Sequence, residues 1–136
     1  MSVRVTVESA VKPTEDEAKV ERALRNVFPS GRIERTAMYD SLRLVIHGDG
    51  LEFMSTLRNL IKQERIRSAA RRILFGSTRG QRTCVYLNKQ AAFVKRISFC
   101  EAEGESPLGP ISVVIEATRP EDVVDYLTLI PDQRRR

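Results

Sequence analysis

Cys84, Cys100 and His47 are the side chains best suited to nucleophilic or metal chemistry in this sequence, and their number limits both. His47 is the sole histidine and there are two cysteines, too few for a closed zinc site, which takes four ligands from cysteine and histidine. Nucleophilic catalysis needs a base held against the nucleophile, and Cys84 with His47 is the one pairing on offer. Both cysteines sit in apolar, strand-like runs and read as buried thiols. A Cys84–Cys100 disulfide would require neighbouring strands and an oxidising setting, or a hyperthermophile host. No carboxylates recur at metal-ligand spacing. Glu101, Glu103 and Glu105 lie on the approach to a loop, Glu15, Asp16 and Glu17 read as helix-capping charge, and Asp49 reads as a turn or N-cap residue. The sequence therefore predicts no catalytic residue, no metal and no cofactor.

Phosphate-cradling loops fare no better. Gly48-Asp49-Gly50 precedes a helix but lacks the third glycine and the lysine of nucleotide loops. Ser77-Thr78-Arg79-Gly80 offers amides and a guanidinium, and reads first as a surface loop. The cations are better organised. Arginine outnumbers lysine 18 to 5 in a chain of net charge +5, and arginine binds phosphate through a planar, bidentate fork. Arg58, Lys62, Arg65, Arg67, Arg71, Arg72, Arg79 and Arg82 place eight cations within 25 residues, with Glu64 the only acid among them. Such a surface gains sequence-independent affinity by neutralising phosphates. Aromatic residues are only 6% of the chain and tryptophan is absent. That composition favours recognition of RNA backbone or shape over serial base stacking.

Those residues must be positioned by ordinary α+β elements. Val3, Val5 and Val7 alternate as in a half-buried strand over Val3 to Ala10. Lys12-Pro13 ends it, and Thr14 with Glu17 reads as a capping box for a helix to Val27 that turns Val20, Ala23, Leu24 and Val27 inward. Arg32 to Met38 and Leu42 to His47 read as a hairpin. A helical stretch follows from Leu51 to Phe75, but its apolar phase jumps. Met54, Leu57, Leu60 and Ile61 fall on one side, and Ile66, Ala70, Ile73 and Leu74 nearly opposite. This predicts a break near Lys62 to Arg65, or a second helix facing a partner subunit. Strands are expected at Arg82 to Leu87, Lys95 to Glu101 and Ile111 to Ala117, with a turn or short helix at Asn88 to Ala92 and a polar loop at Ala102 to Pro110. A final helix begins at Pro120 and runs to Leu129.

The order β-α-β-β-α-(α)-β-β-β-α predicts a mainly antiparallel sheet with helices packed on one face. Residues 1–130 form one α+β domain in this reading, and 131–136 a basic tail. No apolar run approaches the roughly 20 residues of a membrane span, and Met1 to Val5 is unlike a signal peptide, so a cytoplasmic setting is expected.

Val85-Tyr86-Leu87-Asn88-Lys89-Gln90-Ala91-Ala92 and Ser106-Pro107-Leu108-Gly109-Pro110-Ile111 together resemble the archaeal UPF0201 family. Lys12-Pro13-Thr14-Glu15-Asp16, Phe28-Pro29 and Ile66-Arg67-Ser68-Ala69-Ala70-Arg71 extend the resemblance over nearly the whole chain. It implies a fold similar to ribosomal protein L5, an RNA-binding role and no known reaction. Asn88, Lys89 and Gln90, polar residues at a strand end, are then candidates for specific RNA contacts beside the arginines. If their loop meets Ser106–Ile111, the two would frame a small polar site. Two other readings stand beside RNA binding. One is a homodimeric interaction module, motivated by the phase jump. The other is an enzyme acting on a phosphorylated small molecule through Lys89 and Arg82.

Overall fold

The computed structural model of the protein describes residues 2–39, 41–101 and 109–129. Its elements are β1 (Val3–Val11), α1 (Glu17–Val27), β2 (Ile33–Ala37), β3 (Leu42–Asp49), a 3-10 turn (Leu51–Met54), α2 (Ser55–Glu64), α3 (Arg67–Gly76), β4 (Thr78–Arg79), β5 (Arg82–Leu87), α4 (Lys89–Phe93), β6 (Phe99–Cys100), β7 (Ile111–Ala117) and α5 (Pro120–Thr128). The strands form one sheet in the order β2-β3-β1-β7-β5-β4, with β6 also on β5, and every pairing is antiparallel.

Period-two alternation makes the sheet one-sided. Val3, Val5, Val7, Ser9 and Val11 are buried, whereas Arg4 is exposed and Thr6, Glu8 and Ala10 are half-buried. β7, held between β1 and β5, buries Ile111, Val113, Ile115 and Ala117 on the same side. The helices cover that face, with α1 turning in Val20, Ala23, Leu24 and Val27 as its periodicity predicts. The other face carries His47, which is exposed, and Cys84 and Tyr86, which are half-buried.

The phase jump resolves as a helix break. Arg65 takes the left-handed conformation, φ +58°, and ends α2 with its N–H directed to the carbonyls of Ile61 and Lys62. The chain then restarts as α3 on a new heading, so Ala70 and Leu74 are buried while Ile66 and Ile73 pack against the core. α5 and β5 supply that cover. The apolar set that suggested a partner subunit finds cover within the chain, complete for Ala70 and Leu74 and partial for Ile66 and Ile73. A non-glycine residue in this conformation costs about 1–2 kcal/mol, and glycine gives back about 0.5–1 kcal/mol through unfolded-state entropy. Arg65→Gly is therefore expected to stabilise the fold by about 0.5–1 kcal/mol, read as a higher denaturation midpoint. A lower midpoint would contradict the break's geometry.

Three local expectations are corrected. Asp16, not Thr14, caps α1, its carboxylate accepting the Ala18 N–H at 2.9 Å. Glu15 is held outside the helix instead, where it accepts the Lys12 N–H. The strand expected over Lys95 to Glu101 shrinks to Phe99–Cys100. The residues before it are used in ending α4, with the Val94, Lys95 and Arg96 amides donating to carbonyls of Ala91 and Ala92. Lys95 itself is left-handed. The loop at Gly76 to Gly80 contains β4, paired with the start of β5. Residues 102–108, with Ser106-Pro107-Leu108, and the tail at 131–136 lie outside the described residues. No helix among the described residues is long and apolar enough to cross a membrane.

Candidate nucleic-acid interface

The periodicity that buries Leu57, Leu60 and Ile61 of α2 leaves Arg58 and Lys62, one helical turn apart, on a shared outer stripe. Arg58 is steadied by the Tyr126 ring of α5, its guanidinium carbon 5.2 Å from the centroid. The break at Arg65 then sets Arg67 at the first position of α3. Together these residues line a recess of about 240 Å³ with Asn59, Leu127 and Leu129. Among the described residues no carboxylate lines it, and neither Lys62 nor Arg67 is ion-paired. The first turn of α3 has no side-chain cap and no acidic residue. Its leading amides lack helical acceptors and carry the positive end of the helix dipole. Three cations around an uncapped helix start form a pocket chemically suited to a phosphate.

The other expected contacts do not all converge there. Arg65 and Arg72 are exposed on the same helices. Arg71 is engaged within the protein. It donates to Asp125 at 2.9 Å and Thr128 at 3.1 Å, and it covers the Phe75 ring, pinning α3 to α5. Arg79 folds back onto the carbonyls of Gly76 and Thr78. Arg82 lies in a different recess at the strand ends, where Arg4 and Glu116 also stand.

Asn88 is the N-cap of α4, accepting the Ala91 N–H at 2.8 Å. Lys89 is buried, 6% exposed, and donates to the Ala10 carbonyl and to both oxygens of Glu15. The Asn88 side-chain oxygen, on a half-buried residue, and the buried Lys89 ammonium are thus both engaged within the protein. Gln90 is exposed. Glu15, expected to be helix-capping charge, is Lys89's counterion.

The catalytic readings lose their geometry. His47 and Cys84 occupy one cross-strand row through Thr6 and Val114, three strands apart, which is about 14 Å at 4.7–4.9 Å per strand. Cys100 faces Tyr86, two residues from Cys84, and both cysteines stand outside any disulfide and are half-exposed, so the expectation of burial is corrected. The Cys84 sulfur and the Tyr86 hydroxyl are in hydrogen-bond contact at 3.5 Å, and this bond, with the charge Cys84 can carry, pushes the phenol pKa upward. Arg82 opens β5 and Lys89 follows two residues after its end, so the strand alone separates them by about 17 Å at 3.3 Å per residue, too far to share a small phosphorylated substrate. Among the described residues no group of three or more histidine, cysteine, aspartate or glutamate side chains could hold a metal. Gly48 serves packing, since a Cβ there would strike the Phe53 ring.

Asn59, Tyr126, Leu127 and Leu129 were not anticipated. Asn59 comes from α2 itself and Tyr126 acts through Arg58, while Leu127 and Leu129 complete the recess from the end of α5, more than fifty residues away in the chain, and local sequence carries no signal of that approach.

Comparison with known proteins gives the same direction. Residues 4–117 match a family model described as RNA binding. A UPF0201 protein of Sulfolobus acidocaldarius is 42% identical over 92% of this chain and 86% of its own length. One from Methanopyrus kandleri is 40% identical over 93% of this chain and 85% of its own. The crystal structure of a UPF0201 protein from Methanococcus jannaschii superposes with a TM-score of 0.80 at 28% identity, covering 92% of each chain. With matches of this extent and relatives in several archaea, the chain belongs to the UPF0201 family, which the family model describes as RNA binding.

Proposed function

We propose that this protein is a non-catalytic RNA-binding module that holds the RNA backbone in the recess between α2, α3 and α5. The observation that carries the reading is the convergence of Arg58, Lys62 and Arg67 on one recess whose lining, among the described residues, holds no carboxylate. The uncapped start of α3 adds oriented amides to the same place. Arg65 and Arg72 extend the positive surface along the exposed side of these helices, and Gln90 stands on the same helical layer. Lys89, Asn88 and Arg71 support the architecture rather than the ligand. No reaction is assigned, because Cys84 stands too far from His47, and Arg82 too far from Lys89, for either pair to cooperate.

Filter binding of a structured RNA across a salt series tests this directly. Three neutralised phosphates should give a slope of log affinity against log salt of about −2 to −3. Failure to retain RNA even at low salt would sink the proposal.

A further inference from the structure

A second recess, away from the three cations, has a different character. It lies between α1 and α4 and is lined by Glu15, Lys19, Ala23, Lys89, Gln90 and Phe93, with a volume of about 190 Å³. Lys19 and Ala23 form one stripe of α1, and Lys89, Gln90 and Phe93 the facing stripe of α4. Its walls are mostly apolar, from Ala23 and Phe93. The polar groups sit at the floor and rim.

The slot is built to stay open. At one end Lys89 ties α4 to Glu15 and to the Ala10 carbonyl near the end of β1. At the other, the Asn26 side-chain amide donates to the carbonyls of Ala92 and Phe93, both at 3.0 Å. Arg22 lies over the Phe93 ring at 5.8 Å. A five-residue helix pinned at both ends cannot slide to close the gap. Burial lowers the Lys89 pKa, and an apolar pocket with a few converging polar groups and a perturbed ionisable residue is the usual form of a small-ligand site.

We infer that this slot receives one unpaired nucleobase of the RNA held at the α2–α3–α5 recess, an inference that rests on the RNA-binding reading. The chemistry fits a flat heteroaromatic ring. Phe93 offers an aromatic wall, the Gln90 amide can both donate to and accept from a base edge, and the Lys19 ammonium at the rim can meet the adjoining phosphate. One aromatic wall accommodates one base, which accords with the low aromatic content. The two recesses occupy the same helical layer, since α1 packs on both α4 and α2. Arg96, just after α4, reaches Glu64 at the end of α2 at 3.0 Å. A single RNA can therefore touch both.

Fluorescence anisotropy should compare an RNA hairpin with an unpaired loop against a fully paired duplex of equal length. Phe93→Leu keeps an apolar side chain and removes the ring, and Gln90→Ala changes an exposed rim residue without risk to the core. Each is expected to weaken loop binding, Phe93→Leu by about ten- to a hundredfold, with the salt slope and the duplex affinity unchanged. Equal losses on loop and duplex, or none on either, would overturn the slot while leaving the backbone reading intact. Wild-type protein that binds neither RNA would overturn both. Tight binding of a free nucleoside monophosphate, with loop affinity unaffected by Phe93→Leu, would instead make this a nucleotide site and refute the inference.

Discussion

Replacing Lys89 by alanine is expected to cost about 3–5 kcal/mol of folding stability, a large share of the roughly 5–15 kcal/mol that holds a domain together. The Lys89 and Glu15 side chains are 7% and 8% exposed, with Nζ and Oε1 3.1 Å apart. The ammonium also donates to the Ala10 carbonyl at 2.8 Å. Removing it strands a buried carboxylate whose one other partner among the described residues is the Lys12 amide. Two connections fail together, one to the end of β1 and one to the start of α1. Replacing both partners by apolar side chains of similar volume, Lys89→Met with Glu15→Leu, should restore most of the loss, because neither charge is then buried. Urea denaturation of the three variants would check this, and a Lys89→Ala loss under about 1 kcal/mol would contradict it.

The same pair has a pH signature. Burial lowers the Lys89 pKa below its ordinary 10.5, outweighing the opposing effect of Glu15. The unfolded chain therefore holds this proton more tightly than the folded one. Between the folded pKa and 10.5 the unfolded state binds more protons, so this group makes stability rise with pH across that window. Below the window its contribution is constant. In Lys89→Met the rise should vanish.

What was legible in the sequence was what local periodicity encodes. The buried stripe of α1 and the break before Arg67 both follow from the repeat of apolar residues, which depends on no distant partner. The start of α1 was misplaced because Thr14 and Asp16 are both good caps two residues apart. Tertiary structure chose between them: Glu15 is held outside the helix by Lys89, seventy-four residues later, so capping passes to Asp16. The candidate site shows the same division. Local phase placed Arg58, Lys62 and Arg67 outside the core. It placed Arg71 there too, but could not show that Asp125 and Thr128 engage it. Asn88 and Lys89 read as polar groups at a strand end, and only the fold turns one into a cap and buries the other.

That division decides which arginines are informative probes. Reversing Arg71 would break the α3–α5 tie, so lost binding would report lost packing. Lys62→Glu with Arg67→Glu is the cleaner change. Lys62 is exposed and Arg67 half-buried, and neither has an ion-pair partner among the described residues to lose. Glutamate at the first position of α3 also suits the helix dipole, so the double variant should unfold close to the wild-type midpoint. Each charge-assisted contact to a phosphate is worth about 1.5–3 kcal/mol, and losing two corresponds to about a hundredfold in affinity or more. The reversed charges add repulsion to that loss. The salt slope should flatten by about 1.4–1.8, two phosphates' worth of released counterions. Arg32→Glu changes net charge by as much as either single reversal but sits before β2, at the far edge of the sheet, and should leave the slope as it was. Matching losses in the Arg32 variant and the single Lys62 and Arg67 variants would mean that RNA responds to net charge alone, and that the recess between α2, α3 and α5 has no privileged part in holding it.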